Sequence, residues 1–215
     1  MKITVYNKKG GAGKTPIAVN LALTLGYAIG ANEDNDLTEI FPEERVLEIE
    51  PEESFPNFPE EIDIVFDLGG VLSKSNYSVL SAIKQSDLIF IPLFWDTNSV
   101  KKGLQTYDEI HKLNPNIVFI ASKLKTRSGD PKKSDPSFSW SKCKEFVDID
   151  NAITKFTGQK EIVIPLQESD FYHDMKDKGM TFEELRNSWP LQKHNIQKIM
   201  DQFSLVFKEI EKYER

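Results

Sequence analysis

Apolar and polar positions follow two rhythms along the chain. Short runs rich in β-branched and aromatic residues are separated by stretches whose apolar residues recur at helical spacing, the order expected of βαβ units built around a parallel sheet. Ile3-Thr4-Val5-Tyr6 reads as a first strand entering a glycine-rich turn. Ile17 to Leu25 reads as a helix, with Ile17, Asn20-Leu21 and Thr24-Leu25 at helical spacing. Pro16 suits its first turn, where an N–H has no intrahelical partner, and Gly26 ends it. Strands are expected at Tyr27-Ala28-Ile29, at Arg45 to Ile49, and at Ile62 to Phe66, the last terminating at Asp67-Leu68-Gly69-Gly70. Beyond these come a helix at Tyr77 to Gln85, a strand at Leu88 to Pro92, a helix at Ser99 to Leu113 and a strand at Ile117 to Ala121. A helix near 149–156, a strand at Ile162-Val163-Ile164 and a closing helix from about Leu191 to Glu214 complete the pattern. The stretch 123–142 is dominated by Lys, Ser, Asp, Gly and Pro and reads as a loop. With no repeat and no break in composition, the expectation is a single α/β domain over residues 1–215, a mainly parallel twisted sheet with helices on both faces.

Composition narrows the class. The 215 residues are 39% hydrophobic and 28% charged, an apolar share that suits a folded core rather than a disordered chain. A single cysteine, Cys143, cannot close an internal disulfide or build a thiolate metal site alone. No run approaches the roughly 18 apolar residues of a membrane span, and Met1 to Val5 opens a strand rather than a signal peptide. A soluble protein of the cytoplasm is expected. The formal charge of −7 conceals an asymmetry, because residues 33–63 hold thirteen acids against one base, Arg45, and the remainder is net positive. Lys123, Lys125, Arg127, Lys132, Lys133, Lys142 and Lys144 cluster against Asp130 and Asp135. An acidic total therefore leaves room for a local polyanion-binding face.

The most informative segment is Lys8-Lys9-Gly10-Gly11-Ala12-Gly13-Lys14-Thr15, between a strand and a helix. Glycines let successive N–H groups converge on a phosphate, and the following helix adds its positive end. Lys14 offers a charge to the β- and γ-phosphates and Thr15 a hydroxyl to Mg²⁺. The general G-x-x-x-x-G-K-[ST] pattern is not met, since Lys8 stands at its first glycine, but the G-K-T tail and the strand–turn–helix setting are intact.

Lys9 through Thr15 resembles the deviant Walker A motif, K-G-G-x-G-K-[ST], of the ParA/MinD family of ATPases, and Asn7-Lys8 before it is closer to the ParA-type partition proteins. Ile64 to Gly70 is similar to the family's Walker B end, Asp87 to Pro92 to its next strand, and Ile162 to Pro165 with Ser169, Phe171 and Gly179 to its late strand and the loop near the adenine. The likeness is strongest over 1–26 and 62–122 and loose over 123–160. It implies ATP or ADP with Mg²⁺ as ligands, held by Lys9, Gly10, Gly11, Ala12, Gly13, Lys14, Thr15, Pro16 and Pro165, with Thr15 and Asp67 at the metal. It implies catalysis by Lys9, acting across an ATP-dependent homodimer, together with Lys14, Asp67 and Glu33. It also implies slow, partner-stimulated hydrolysis. The family's D-x-D at the end of the second strand is missing here; Glu33 is the best match by spacing, with Asp34 and Asp36 behind it.

ParA-type proteins bind DNA non-specifically, so the resemblance implies phosphate contacts from Lys123, Lys125, Arg127, Lys132, Lys133, Lys193 and Lys198, a ParB-like centromere-binding adaptor, and nucleoid association in the ATP state. A membrane role is not expected. Phe203, Val206, Phe207 and Ile210 share one face of the closing helix, but its polar face is balanced in charge and suits packing on the core better than anionic lipid. His111, His173 and His194 lack ligand spacing for zinc, and one cysteine excludes an iron–sulfur relative. The alternatives kept open are a MinD-like ATPase positioning a division, flagellar or secretion apparatus, and a small-molecule ligase or kinase. With the phosphate loop beginning at residue 8, no operator-reading segment is expected before it, and sequence-specific DNA reading is expected of a partner.

Overall fold

The computed structural model describes residues 1–33, 36–70 and 76–214. Among these, seven parallel strands form one sheet. They are β1 (Lys2–Tyr6), β2 (Ala28–Ala31), β3 (Val46–Glu48), β4 (Ile64–Leu68), β5 (Leu88–Leu93), β6 (Ile117–Leu124) and β7 (Val163–Gln167). The spatial order is β3-β2-β4-β1-β5-β6-β7. From β1 the chain passes to β2 and edge strand β3, returns to β4 beside β1, and then steps outward through β5, β6 and β7. The carboxyl ends of the central strands, where that direction reverses, open a crevice where ligands bind in such sheets. Helices α1 (Lys14–Leu25), α5 (Phe171–Lys178), α6 (Phe182–Ser188) and α7 (Lys193–Ile210) cover one face; α2 (Tyr77–Gln85), α3 (Thr97–Ile110) and α4 (Lys144–Thr157) cover the other.

Strand periodicity decides which side chain meets which helix layer. In β4, Ile64, Phe66 and Leu68 enter the core beneath α2 to α4, while Val65 enters the core beneath α1. Asp67 shares its parity with Val65 and so stands on the α1 side, where Lys14 and Thr15 begin that helix. Its register partners are Val5 in β1 and Ala31 in β2, both fully buried.

Several elements depart from the sequence expectation. The second strand lies one to two residues later than expected and takes in Gly30, a buried core position. A Cβ there would come within 3.0 Å of the Phe55 and Phe66 rings, which pack at a centroid distance of 4.8 Å. Asp67 lies within β4 rather than beyond it. The helix expected near 149–156 extends from Lys144 to Thr157. The segment expected as a loop near the adenine holds α5, and a second unexpected helix, α6, follows it, opened by a reciprocal capping box between Thr181 and Glu184. The closing helix is shorter than expected, Lys193–Ile210, and buries Phe203, Val206 and Ile210. Among the described residues no helix is long and apolar enough to cross a membrane.

Candidate functional site

The site is built where β1 ends and α1 begins. Gly11 and Gly13 take φ of +74° and +89°, values that a Cβ disfavours, and these turn the loop. Gly13 is the N-cap of α1 and offers no side chain, and no acid sits in the first turn. In α2, α3 and α6, by contrast, Asn76, Asp96 and Thr181 fill that role. The first N–H groups of α1 are therefore left to the crevice, with the positive end of the helix dipole behind them. Asn20 Nδ2 donates to the Pro16 carbonyl inside the first turns (2.5 Å).

The loop is pinned from three sides. Buried Asn7 donates through Nδ2 to the Pro92 carbonyl (2.7 Å) and accepts the Lys9 N–H at Oδ1 (2.8 Å). The Ser122 hydroxyl lies between the carbonyls of Ala12 (3.0 Å) and Leu93 (3.2 Å). Lys123 Nζ donates to the Gly11 carbonyl (2.9 Å) and lies over the Phe94 ring. Lys8 pairs with Glu109 of α3, and its N–H approaches the Thr106 hydroxyl (3.4 Å). Lys9 bends its ammonium onto the neighbouring Gly10 carbonyl (2.8 Å).

Asp67 is the electrostatic centre. Burial pushes its carboxyl up to about 6; the Thr15 hydroxyl bond, Lys14 and, more weakly, Lys176 of α5 pull the other way, and the charge of Glu33 adds to the rise. Thr15 and Asp67 thus form a hydroxyl–carboxylate pair beside Lys14, a donor set that fits a hard divalent cation retaining several waters. Glu33 is exposed, yet its carboxylate lies so close over Gly69 that a Cβ there would fall 1.8 Å from it. Asp36 turns the chain at φ +53° into a short 3₁₀ turn, and Asp34 lies outside the described residues.

A cavity of about 120 Å³ adjoins the loop, lined by Gly13, Pro16, Ile17, Ser122, Lys123, residues 166–170, Tyr172 and His173. Pro165 is not part of this wall: it sits within β7, opposite Ala121, and its neighbours 166–170 face the cavity instead. Tyr172 is buried there, and burial holds its phenol well above the usual range.

Much of the basic stretch is paired within the chain, although Lys125, Arg127 and Lys133 remain exposed. Lys123 belongs to the phosphate loop's support. Lys125 pairs with Glu168 (2.9 Å), and Arg127 pairs with buried Glu145 (3.0 Å) while lying over Trp95. Lys133 lies over Trp140, which packs edge-on against Phe138. Lys132, Lys193 and Lys198 are exposed. Sequence reasoning missed Ser122 and Asn32, which reach the site only through the sheet order, and Lys176, whose charge acts on Asp67 from helix α5.

No protein-family model matches the chain, and no curated protein matches it. Solved structures do. An ATP complex of Cyanothece McdA gives a TM-score of 0.58 at 15% identity, over 95% of this chain and 96% of that one. The cell division ATPase MinD of Pyrococcus furiosus gives 0.56 at 15%, over 99% of each. A plasmid partition protein of Borrelia burgdorferi bound to AMPPNP gives 0.54 at 13%, over 96% and 98%. The chain has the ParA/MinD-type P-loop fold.

Proposed function

We propose that the chain is a Mg²⁺-dependent ATP-binding and hydrolysing switch, used to partition or position a cellular cargo. The observation that carries this reading is the unfilled N-terminus of α1, entered through left-handed Gly13, with Lys14 and the Thr15–Asp67 pair beside it. The nucleotide-bound McdA and partition-protein neighbours share this fold. In this reading the 10–15 loop cradles the phosphates, Lys14 neutralises the β- and γ-oxygens, and the 166–173 wall receives the base. Mg²⁺, when held by Thr15 and through water by Asp67, supplies further charge compensation. Glu33 orients the attacking water, whose oxygen bonds to the γ-phosphorus as the bond to the bridging oxygen breaks, leaving ADP and phosphate. Lys9 acts on the nucleotide of a second copy, which makes ATP the trigger for dimerisation.

The cargo in this reading is plasmid or chromosomal DNA, with a ParB-like adaptor bound to the centromere and non-specific duplex contacts from Lys132, Lys193 and Lys198. A second reading, positioning of a protein assembly, is favoured by the intramolecular partners of Lys123, Lys125, Arg127 and Lys133, each of which already holds a carbonyl, a carboxylate or a ring. Binding to random duplex DNA with ATP, ADP or no nucleotide, over a salt series, separates the two. ATP-dependent binding that falls steeply with salt, and is lost in Lys14→Ala, supports partition; no DNA binding by the ATP-loaded chain transfers the role to a protein cargo.

A further inference from the structure

The last backbone pair between β2 and β4 sets Ala31 opposite Asp67. One residue further on, a side chain takes over from the ladder. Asn32, only 3% exposed, accepts the Gly69 N–H at Oδ1 (2.8 Å) and donates from Nδ2 to the Gly69 carbonyl (3.2 Å). The same Nδ2 donates its second proton to the Ser78 hydroxyl (2.8 Å), which donates in turn to Asn76 Oδ1 (2.8 Å) at the N-cap of α2. Both amide donors and the acceptor are used, and Gly69 has both backbone groups satisfied without a strand residue beside it.

This clasp has a geometric effect on residue 33. It holds Gly69 at the edge of the sheet while releasing the backbone after Asn32 from the ladder, and Glu33 then folds its carboxylate across the bare Cα of Gly69. The fit depends on glycine, because a Cβ at 69 would stand 1.8 Å from the carboxylate carbon and from Oε1, and 2.1 Å from Oε2. The Glu33 charge is felt at Asp67, two residues earlier on β4. An aspartate at 32 would accept from the Gly69 N–H but could not donate to its carbonyl or to Ser78, and would crowd a third carboxylate against Glu33 and Asp67. A neutral amide is the side chain that meets all three demands.

We propose that Asn32 is a positioning residue for hydrolysis: by clasping Gly69 it seats the Glu33 carboxylate beside the Thr15–Asp67 pair, and so sets turnover without itself touching nucleotide. This rests on the ATPase reading above. The test is a cycle of wild type, Asn32→Ala, Glu33→Ala and the double variant, followed by phosphate release and by affinity for a non-hydrolysable ATP analogue. In the wild-type background Asn32→Ala lowers turnover about tenfold or more, the scale of a misplaced reacting group, with analogue affinity held within about threefold. In the Glu33→Ala background the same change alters turnover less than about twofold, because residues acting through one another are non-additive. Gly69→Ala, which leaves Asn32 in place and expels the carboxylate, lowers turnover as well. Faster amide exchange at Gly69 in Asn32→Ala, with global protection retained, verifies that the variant is folded and the clasp broken. An equal loss from Asn32→Ala in both backgrounds, or no loss in either, overturns the positioning role while leaving the ATPase reading intact. Wild-type protein that binds the analogue and releases no phosphate overturns the ATPase reading, and the positioning role with it.

Discussion

At the scale of single residues, Asp67 faces opposite demands in the free and loaded chain. Its carboxyl, ordinarily near 3.8, is raised to about 6 by burial. The folded chain therefore holds that proton more tightly than the unfolded chain. The stabilisation linked to it is complete below about pH 4 and is lost as the pH rises through about 6. Near neutral pH a buried, charged Asp67 opposes folding by on the order of 2–3 kcal/mol. Asp67→Asn keeps an oxygen to accept from Thr15 and removes the charge. Thermal melting of the nucleotide-free variant should show a midpoint several degrees above wild type at about pH 7.5, by the usual few degrees per kcal/mol, and no gain near pH 4, while Mg²⁺-dependent turnover is lost. An unchanged or lower midpoint at the higher pH would contradict the burial argument. Not every such residue is legible along the chain. Lys14 and Thr15 are, because a phosphate loop is local: its glycines, lysine and hydroxyl lie within a few consecutive positions. Asn32 and Ser122 are not, because each acquires its partners only when β2 meets β4, or β6 meets β5. Lys123 shows the reverse case, a cation that reads as a surface charge and is spent on the Gly11 carbonyl.

At the scale of elements, α3 holds the phosphate loop from behind. Gly103 lets that helix approach β5 so closely that a Cβ would lie 2.8 Å from Leu93 Cδ2, 3.3 Å from Leu93 Cβ and 3.5 Å from Asn7 Nδ2. Leu93 is fully buried, and in a close-packed interior its side chain has little room to turn. Gly103→Ala should therefore lower the melting midpoint, the overpacking of about 1–3 kcal/mol exceeding the gain in helix propensity of up to about 1 kcal/mol. A raised midpoint would show that α3 has slack against β5. The strand and helix order was readable from periodicity because each element carries its own apolar rhythm. The exceptions have physical causes. A glycine such as Gly30 carries no apolar side chain to extend the strand pattern, its place being filled by the Phe55 and Phe66 rings. Helices α5 and α6 are too short for their periodicity to stand out, although Thr181 and Glu184 spell the capping box.

At the scale of the whole molecule, the loop, the Thr15–Asp67 pair and the cavity wall share the carboxyl edge of one sheet, while Lys9 rests its ammonium on the Gly10 carbonyl. A second copy facing this edge would give Lys9 a phosphate to neutralise. Light scattering should register a doubling of mass with a non-hydrolysable ATP analogue. Lys9→Ala should retain analogue binding yet lose most of its phosphate release; release equal to wild type would exclude action across a dimer.

The central claim, a phosphate-holding loop built on Lys14, is tested most directly by titrating ATP with Mg²⁺ into wild type and Lys14→Ala by calorimetry. The account predicts saturable one-site binding by wild type and none by a variant that still melts cooperatively. Equal ATP affinity in the two proteins would contradict it.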